Sequence, residues 1–188
     1  MKKVLIIMGN PRVDSYCDAL ANAYLKGVIQ SGNHGELVKL IDIDFQYNLL
    51  LGTNDKNLEQ SVLDFQKKII DFDHYVFIYP TWRYNMPGIL KAFLDRVFLS
   101  GFAYKFHSRF NVEGLLKGKN ASVITTTDGP WFYYLFAGNP GLKALVTTLK
   151  FCGIQIKQVY SVFSVRHIGD DKRKRQIQMI ENFGKNIK

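Results

Sequence analysis

Two stretches of the chain interleave aromatic rings with small polar residues and prolines. One is Pro80-Thr81-Trp82-Arg83-Tyr84-Asn85-Met86-Pro87-Gly88; the other is Thr126-Thr127-Asp128-Gly129-Pro130-Trp131-Phe132-Tyr133-Tyr134. Flat side chains to stack on, with backbone N–H groups and hydroxyls beside them, suit a planar ligand with a polar edge. A partner surface or plain core packing are the alternatives for the same residues. A third stretch, Gly9-Asn10-Pro11-Arg12-Val13-Asp14-Ser15-Tyr16-Cys17, offers hydroxyls and free N–H groups where a strand would feed a helix. That geometry binds phosphate through hydrogen bonds and the helix dipole together. With one glycine it is neither GxGxxG nor a P-loop, and the same residues serve if Asp14 or Ser15 merely caps the helix. No Ser/His/Asp or Cys/His set suggests nucleophilic catalysis. Cys17 and Cys152 stand in no CxxC or Cys/His spacing, which argues against a disulfide framework and against a metal.

The elements that must position these stretches follow from periodicity. Val4-Leu5-Ile6-Ile7-Met8, Tyr75 to Tyr79 and Ala121 to Thr126 read as buried strands, Glu36 to Ile43 as an alternating one, and Val159 to Val165 as a fifth. Helical spacing falls between them: Ala19 to Val28, Leu58 to Ile70, Gly88 to Leu99, Leu142 to Phe151 and Lys172 to Ile187. Alternation of this kind predicts an α/β, doubly wound, three-layer fold with a five-stranded parallel sheet of order 2-1-3-4-5. In such sheets ligands lie beyond the carboxyl ends of the strands at the switch point. The three stretches are the loops after the first, third and fourth strands.

The segment PTWRYNMPGILKAFLDRVFLSGFAY, with GNPRVDS ahead of it and TTTDGPWFYYLFAG and LKFCGI behind it, resembles the NAD(P)H:quinone oxidoreductase family over nearly the full length. The resemblance implies a flavodoxin-like fold and a flavin-dependent NAD(P)H oxidoreductase. It would reduce quinones or similar flat acceptors by two electrons, in a ping-pong hydride mechanism with FAD or FMN as cofactor and NADPH or NADH as donor. By the same resemblance, Asn10, Ser15, Tyr16 and Cys17 match the flavin phosphate and ribityl segment. Pro80, Thr81, Trp82, Arg83 and Tyr84 match the loop holding the isoalloxazine, and Thr126, Thr127 and Gly129 the loop under its pyrimidine end. Tyr134 matches a tyrosine implicated in the redox half-reactions. Phe102 and Tyr104 match residues that reach the active site of the partner subunit in homodimers, and Trp82, Phe132 and Tyr134 would shape the acceptor slot. Two positions depart from the family: Asp128 stands where glycine is common, and Pro140 where better-studied members pair the tyrosine with a histidine. None of the four histidines takes that place: His34 and His107 fall in expected loops, and His74 and His167 flank strands.

Composition bounds the rest. The chain has 188 residues, 47% apolar, with 25 basic and 16 acidic side chains and a net charge of +9. This length suits one domain spanning 1–188, able to bury roughly 70% of its unfolded surface. No apolar run approaches the roughly 18 residues of a membrane span, and the apolar stretch after Lys3 ends at Gly9, too soon for a signal peptide; the expectation is a cytoplasmic protein. No linear DNA- or RNA-binding signature accompanies the basic charge. Its densest block, Lys172-Arg173-Lys174-Arg175, reads as the solvated face of a helix capped near Asp170-Asp171, or else as a phosphate- or membrane-facing patch. Two functions compete with the enzyme. A flavodoxin-like electron carrier is disfavoured by the basic charge; an ancillary regulatory subunit of a membrane potassium-efflux system would be compatible with the same chemistry.

Overall fold

A computed structural model describes residues 1–47, 58–109 and 111–187. Among these described residues, seven strands and six helices follow in the order β1 (Lys3–Met8), α1 (Tyr16–Gln30), β2 (His34–Lys39), α2 (Gln60–Asp71), β3 (His74–Pro80), α3 (Gly88–Val97), β4 (Tyr104–Ser108), β5 (Asn111–Gly114), β6 (Asn120–Thr126), α4 (Trp131–Ala137), α5 (Pro140–Phe151), β7 (Gln155–Val162) and α6 (Asp170–Lys185). The parallel sheet runs β2-β1-β3-β6-β7, with β4 and β5 as a separate antiparallel hairpin. Counting sheet strands alone, this is the predicted 2-1-3-4-5 order.

Burial explains the layering. Val4 to Met8 are fully buried, and their side chains alternate between two cores: Leu5 and Ile7 pack among Ile69, Leu90, Phe93 and Leu149, while Val4, Ile6 and Met8 pack among Leu20, Tyr24 and Ile180. Each such side chain contributes roughly 1.5–3 kcal/mol. α1 and α6 meet on one face through two glycines. A Cβ on Gly27 would lie 2.0 Å from the Glu181 carbonyl oxygen, and one on Gly184 would lie 2.2 Å from that of Tyr24.

The structure corrects several expected boundaries. The second strand spans His34–Lys39, not Glu36 to Ile43, because the chain leaves the sheet in a 3-10 turn at Leu40–Asp42 that buries Leu40. The last strand is Gln155–Val162, not Val159 to Val165; as an edge strand it keeps Gln155, Lys157 and Val159 exposed, so its first half has no apolar run to betray it. The stretch after Pro130 is the helix α4 rather than loop, and the chain after α3 forms a hairpin that puts His107 on β4; His34 likewise sits on β2. Asp170 and Asp171 lie within the first turn of α6, not before it.

Candidate active site

The carboxyl ends of the sheet strands open into a cleft of about 240 Å³ lined by Asn10, Arg12, Ser15, Tyr16, Cys17, Pro80, Thr81, Trp82, Thr126, Thr127, Asp128, Val165 and Arg166. The three predicted loops converge there. A fourth, after β7, completes the wall and has no sequence signal: Phe163-Ser164-Val165-Arg166 carries neither glycine nor proline. Backbone bonds place it, Val165 N–H donating to the Thr127 carbonyl (3.1 Å) and Ser164 N–H to that of Gly129 (3.3 Å), with Ser164 left-handed at φ 56°.

At the first loop Ser15 caps α1. Its Oγ accepts from Asp18 N–H (3.3 Å) and from Asn10 Nδ2 (2.9 Å) and donates to Asp18 Oδ2 at 2.6 Å, while Ser15 N–H donates to the same Oδ2 (2.9 Å). This is a reciprocal capping box. Lys39 Nζ, at the end of β2, sits 2.7 Å from Asp18 Oδ1. Burial pushes the Asp18 carboxyl upward, but the bonds to Lys39 and Ser15 outweigh it and hold the group below the usual range. Cys17, buried, lies 3.5 Å from Thr126 Oγ1, and burial pushes its thiol up to about 11, keeping it protonated at neutral pH. Tyr16 donates to Gln176 Oε1 on α6 at 2.9 Å. Of the basic block on α6, Arg173 braces this wall: its guanidinium lies 5.8 Å from the Tyr16 ring centroid and bonds the Val165 carbonyl at 2.9 Å. Lys172, Lys174 and Arg175 are exposed.

The second loop is a tight hairpin. Trp82 and Asn85 exchange two backbone hydrogen bonds (2.8 and 2.9 Å), leaving Arg83 and Tyr84 at the tip with φ of 48° and 64°. Positive φ at both central residues is the type I′ requirement, normally met by Asn and Gly; Arg and Tyr hold it at a cost of roughly 1–3 kcal/mol each. The turn is held from outside. Tyr84 carbonyl accepts from Gly141 N–H (2.9 Å), and Gly141 lets α5 approach so closely that a Cβ there would sit 2.6 Å from Asn85 Cα. Thr81 is buried with its Oγ1 2.7 Å from Thr125 Oγ1, and the Trp82 ring is left 43% exposed at the cleft.

In the third loop Tyr134 lies one hydrogen bond behind the cleft wall, its hydroxyl 2.5 Å from Thr127 Oγ1, and its ring 5.9 Å from Tyr84 and 5.5 Å from Phe163. Gly129 N–H donates to the same Thr127 oxygen (3.2 Å), and Gly129 faces the Tyr134 ring, 3.1 Å from where a Cβ would stand. Asp128 is clamped by Arg166, whose Nε sits 2.6 Å from Oδ2 and whose N–H donates to Oδ1 (2.9 Å). Pro140 is the first residue of α5, behind the N-cap Asn139, whose side chain accepts from Leu142 N–H at 3.0 Å. The departure that puts proline where the family has histidine thus falls on a helix start. His74 sits at the amino end of β3, away from the cleft, buried and 2.9 Å from Ser122 Oγ.

Not every predicted site residue joins the cleft. Phe132 is exposed on α4, beside Trp131, Tyr133, Leu135 and Phe136, all exposed. Tyr104 is buried on β4 against Phe106 (5.5 Å) and Phe151 (4.8 Å), and Phe102 packs partly buried in the core on the same side of the sheet. Within one chain neither lines the cleft, and Arg83, Tyr84, Gly129 and Tyr134 stand beside its lining rather than in it. Arg12, Asp128, Val165 and Arg166 line it without having been assigned to it from the family pattern.

A doubly wound sheet with one cleft at its switch point, walled by a helix N-terminus, a hydroxyl-rich strand end and an aromatic hairpin, defines a flavodoxin-type α/β protein. The family model described as flavodoxin-like fold matches residues 2–186, and the chain belongs to that family. It is similar to NAD(P)H dehydrogenase (quinone) 1 of Rattus norvegicus, 24% identical and covering 100% of this chain and 77% of that protein. It is also similar to an FMN-dependent NADH:quinone oxidoreductase of Coprothermobacter proteolyticus, 28% identical and covering 93% and 92%. Among solved structures, Smu.1420 from Streptococcus mutans superposes with a TM-score of 0.82 at 27% identity, over 98% of this chain and all of that one.

Proposed function

We propose that the protein is a flavin-dependent NAD(P)H oxidoreductase, acting as one unit over residues 1–188, that passes two electrons to a quinone or a similar flat acceptor. The observation that carries the reading is the convergence of the loops after β1, β3 and β6 on one cleft, with phosphate-type donors at one end and a half-exposed tryptophan with buried threonine hydroxyls at the other. Relatives named as quinone oxidoreductases along most of the chain support it.

The donor set fits a flavin mononucleotide. Arg12 and the first-turn N–H groups of α1 other than that of Asp18, which Ser15 Oγ already takes, would hold the phosphate. Pro80, Thr81, Trp82, Arg83 and Tyr84 would frame the ring system with Asn10 and Cys17 behind it, and Thr126, Thr127 and Gly129 would face its polar edge. When bound, the flavin supplies reversible two-electron chemistry, taking hydride from NADPH or NADH and returning it to the acceptor. The chain's part is to exclude water, to present a flat slot beside the half-exposed Trp82 ring, and to hold a proton at the Tyr134 hydroxyl, behind the cleft wall, on Thr127 Oγ1. A single slot used in turn by donor and acceptor gives ping-pong kinetics. The exposed apolar rings of α4, with Phe106 and Phe151 near the β4–β5 hairpin, support a homodimer in which Phe102, Tyr104 and Phe132 lie toward the partner subunit.

The test is reconstitution. Purified protein incubated with FMN and, separately, FAD should yield a yellow complex that NADH or NADPH bleaches anaerobically and a quinone recolours. Absence of flavin absorbance after reconstitution overturns the reading; a flavin complex that neither nicotinamide bleaches points instead to an electron carrier.

A further inference from the structure

The first loop holds its hydroxyl in a way that shifts the work of phosphate binding elsewhere. Ser15 Oγ has one hydrogen and two lone pairs, and all three are committed: the hydrogen to Asp18 Oδ2 at 2.6 Å, the lone pairs to Asp18 N–H and Asn10 Nδ2. Ser15 lines the cleft yet has no donor left for an anion. Behind it stands a carboxylate, one hydrogen bond from the cleft wall, where it would repel a phosphate arriving at the end of α1. The only cation paired with that carboxylate among the described residues is Lys39, at 2.7 Å from its other oxygen. Asp14 and Asp42 are the further acids within electrostatic reach of Lys39. Lys39 is on β2, outside the three loops, and does not line the cleft.

We propose that Lys39 is a positioning residue which, by neutralising Asp18, sets how tightly the cleft takes the phosphate of a flavin while leaving the ring end unaffected. The inference rests on the flavin reading above and assigns selectivity within it: the pair Lys39–Asp18 makes the first loop favour a phosphorylated flavin over an unphosphorylated one. Arg12 then meets the anion without an unpaired carboxylate at Asp18 behind it.

The experiment titrates flavin-free protein with FMN and with riboflavin, which shares the ring system and lacks the phosphate, following flavin fluorescence. Lys39→Met should weaken FMN by about tenfold, the size expected when one partly buried like charge is uncovered, and should leave riboflavin within about twofold on the same grounds. Lys39→Arg should restore FMN binding, and adding Asp18→Asn to Lys39→Met should recover it as well, because the charge to be neutralised is gone. Equal weakening of both flavins, no weakening of either, or failure of the double variant to recover FMN overturns the proposal. Far-UV circular dichroism checks that Lys39→Met folds, and the double variant supplies the answer if it does not. Wild type that binds neither flavin refutes the parent reading, which is a separate result.

Discussion

Tyr134 and Thr127 show how a single contact near the cleft can be tested apart from the rest. The hydroxyls are 2.5 Å apart and half sheltered. Tyr134→Phe keeps the ring contacts with Tyr84 and Phe163 and removes one hydrogen bond, so folding should lose only about 1 kcal/mol, read from the urea midpoint. Stopped-flow should find the acceptor half-reaction slowed more than flavin reduction by the nicotinamide. Asp128 makes a second case. Its clamp to Arg166 is solvent-exposed, and Asp128→Asn should change stability by less than about 0.5 kcal/mol. Removing the carboxylate should raise the flavin's reduction potential, since a negative charge near the ring disfavours an anionic reduced form; spectroelectrochemistry decides it. At this scale the residue types were legible in Trp82, Thr127 and Tyr134. The left-handed backbone of Arg83 and Tyr84 was not, because the turn that demands it is usually announced by Asn-Gly, and here Gly141 on another element enforces it.

Among the elements, the parallel strands were readable because burial on both faces leaves unbroken apolar runs, as in Val4–Met8. The hairpin and α4 were not. Tyr104–Ser108 is exposed after its first residue, and α4 buries none of its residues, so neither has a core-facing period to detect. The contact between α1 and α6 is the most demanding piece of packing, with two glycines each allowing a backbone into near contact with the other helix. Gly184→Ala must push the helices apart. It should cost about 3 kcal/mol or more, the upper end of overpacking penalties, seen as a lower urea midpoint. Because Arg173 on α6 braces Val165 and Tyr16, flavin affinity should fall as well.

For the molecule as a whole, acid should loosen the fold through its amino-edge histidine. Burial, reinforced by Lys2 and Lys157, pulls His74 down to about 4, against an ordinary 6.5. The folded state therefore refuses a proton that the unfolded chain accepts. Stability from this group is complete above pH 6.5 and declines as pH falls toward 4, by about 3 kcal/mol in all. Urea titrations at pH 7 and pH 4.5 should show the loss in wild type and a smaller one in His74→Gln. An equal loss in both would assign the acid response to other groups. The doubly wound architecture, including the pairing of β3 with β6, was legible from alternation alone, whereas the register that brings His74 to Ser122 across those strands was not.

Both tryptophans are on the outside, Trp82 at the mouth of the cleft and Trp131 on α4, 43% and 61% exposed. The deep core is lit only by tyrosine and phenylalanine. Emission from Trp82 should therefore already be red-shifted in the native protein and should move little on unfolding, so it will report occupancy of the cleft far better than it reports denaturation, whereas Trp131 will respond to any subunit contact made by α4. Quenching of Trp82 on adding ligand, with Trp82→Phe as the silent control, offers an optical handle that the fold supplies without labelling.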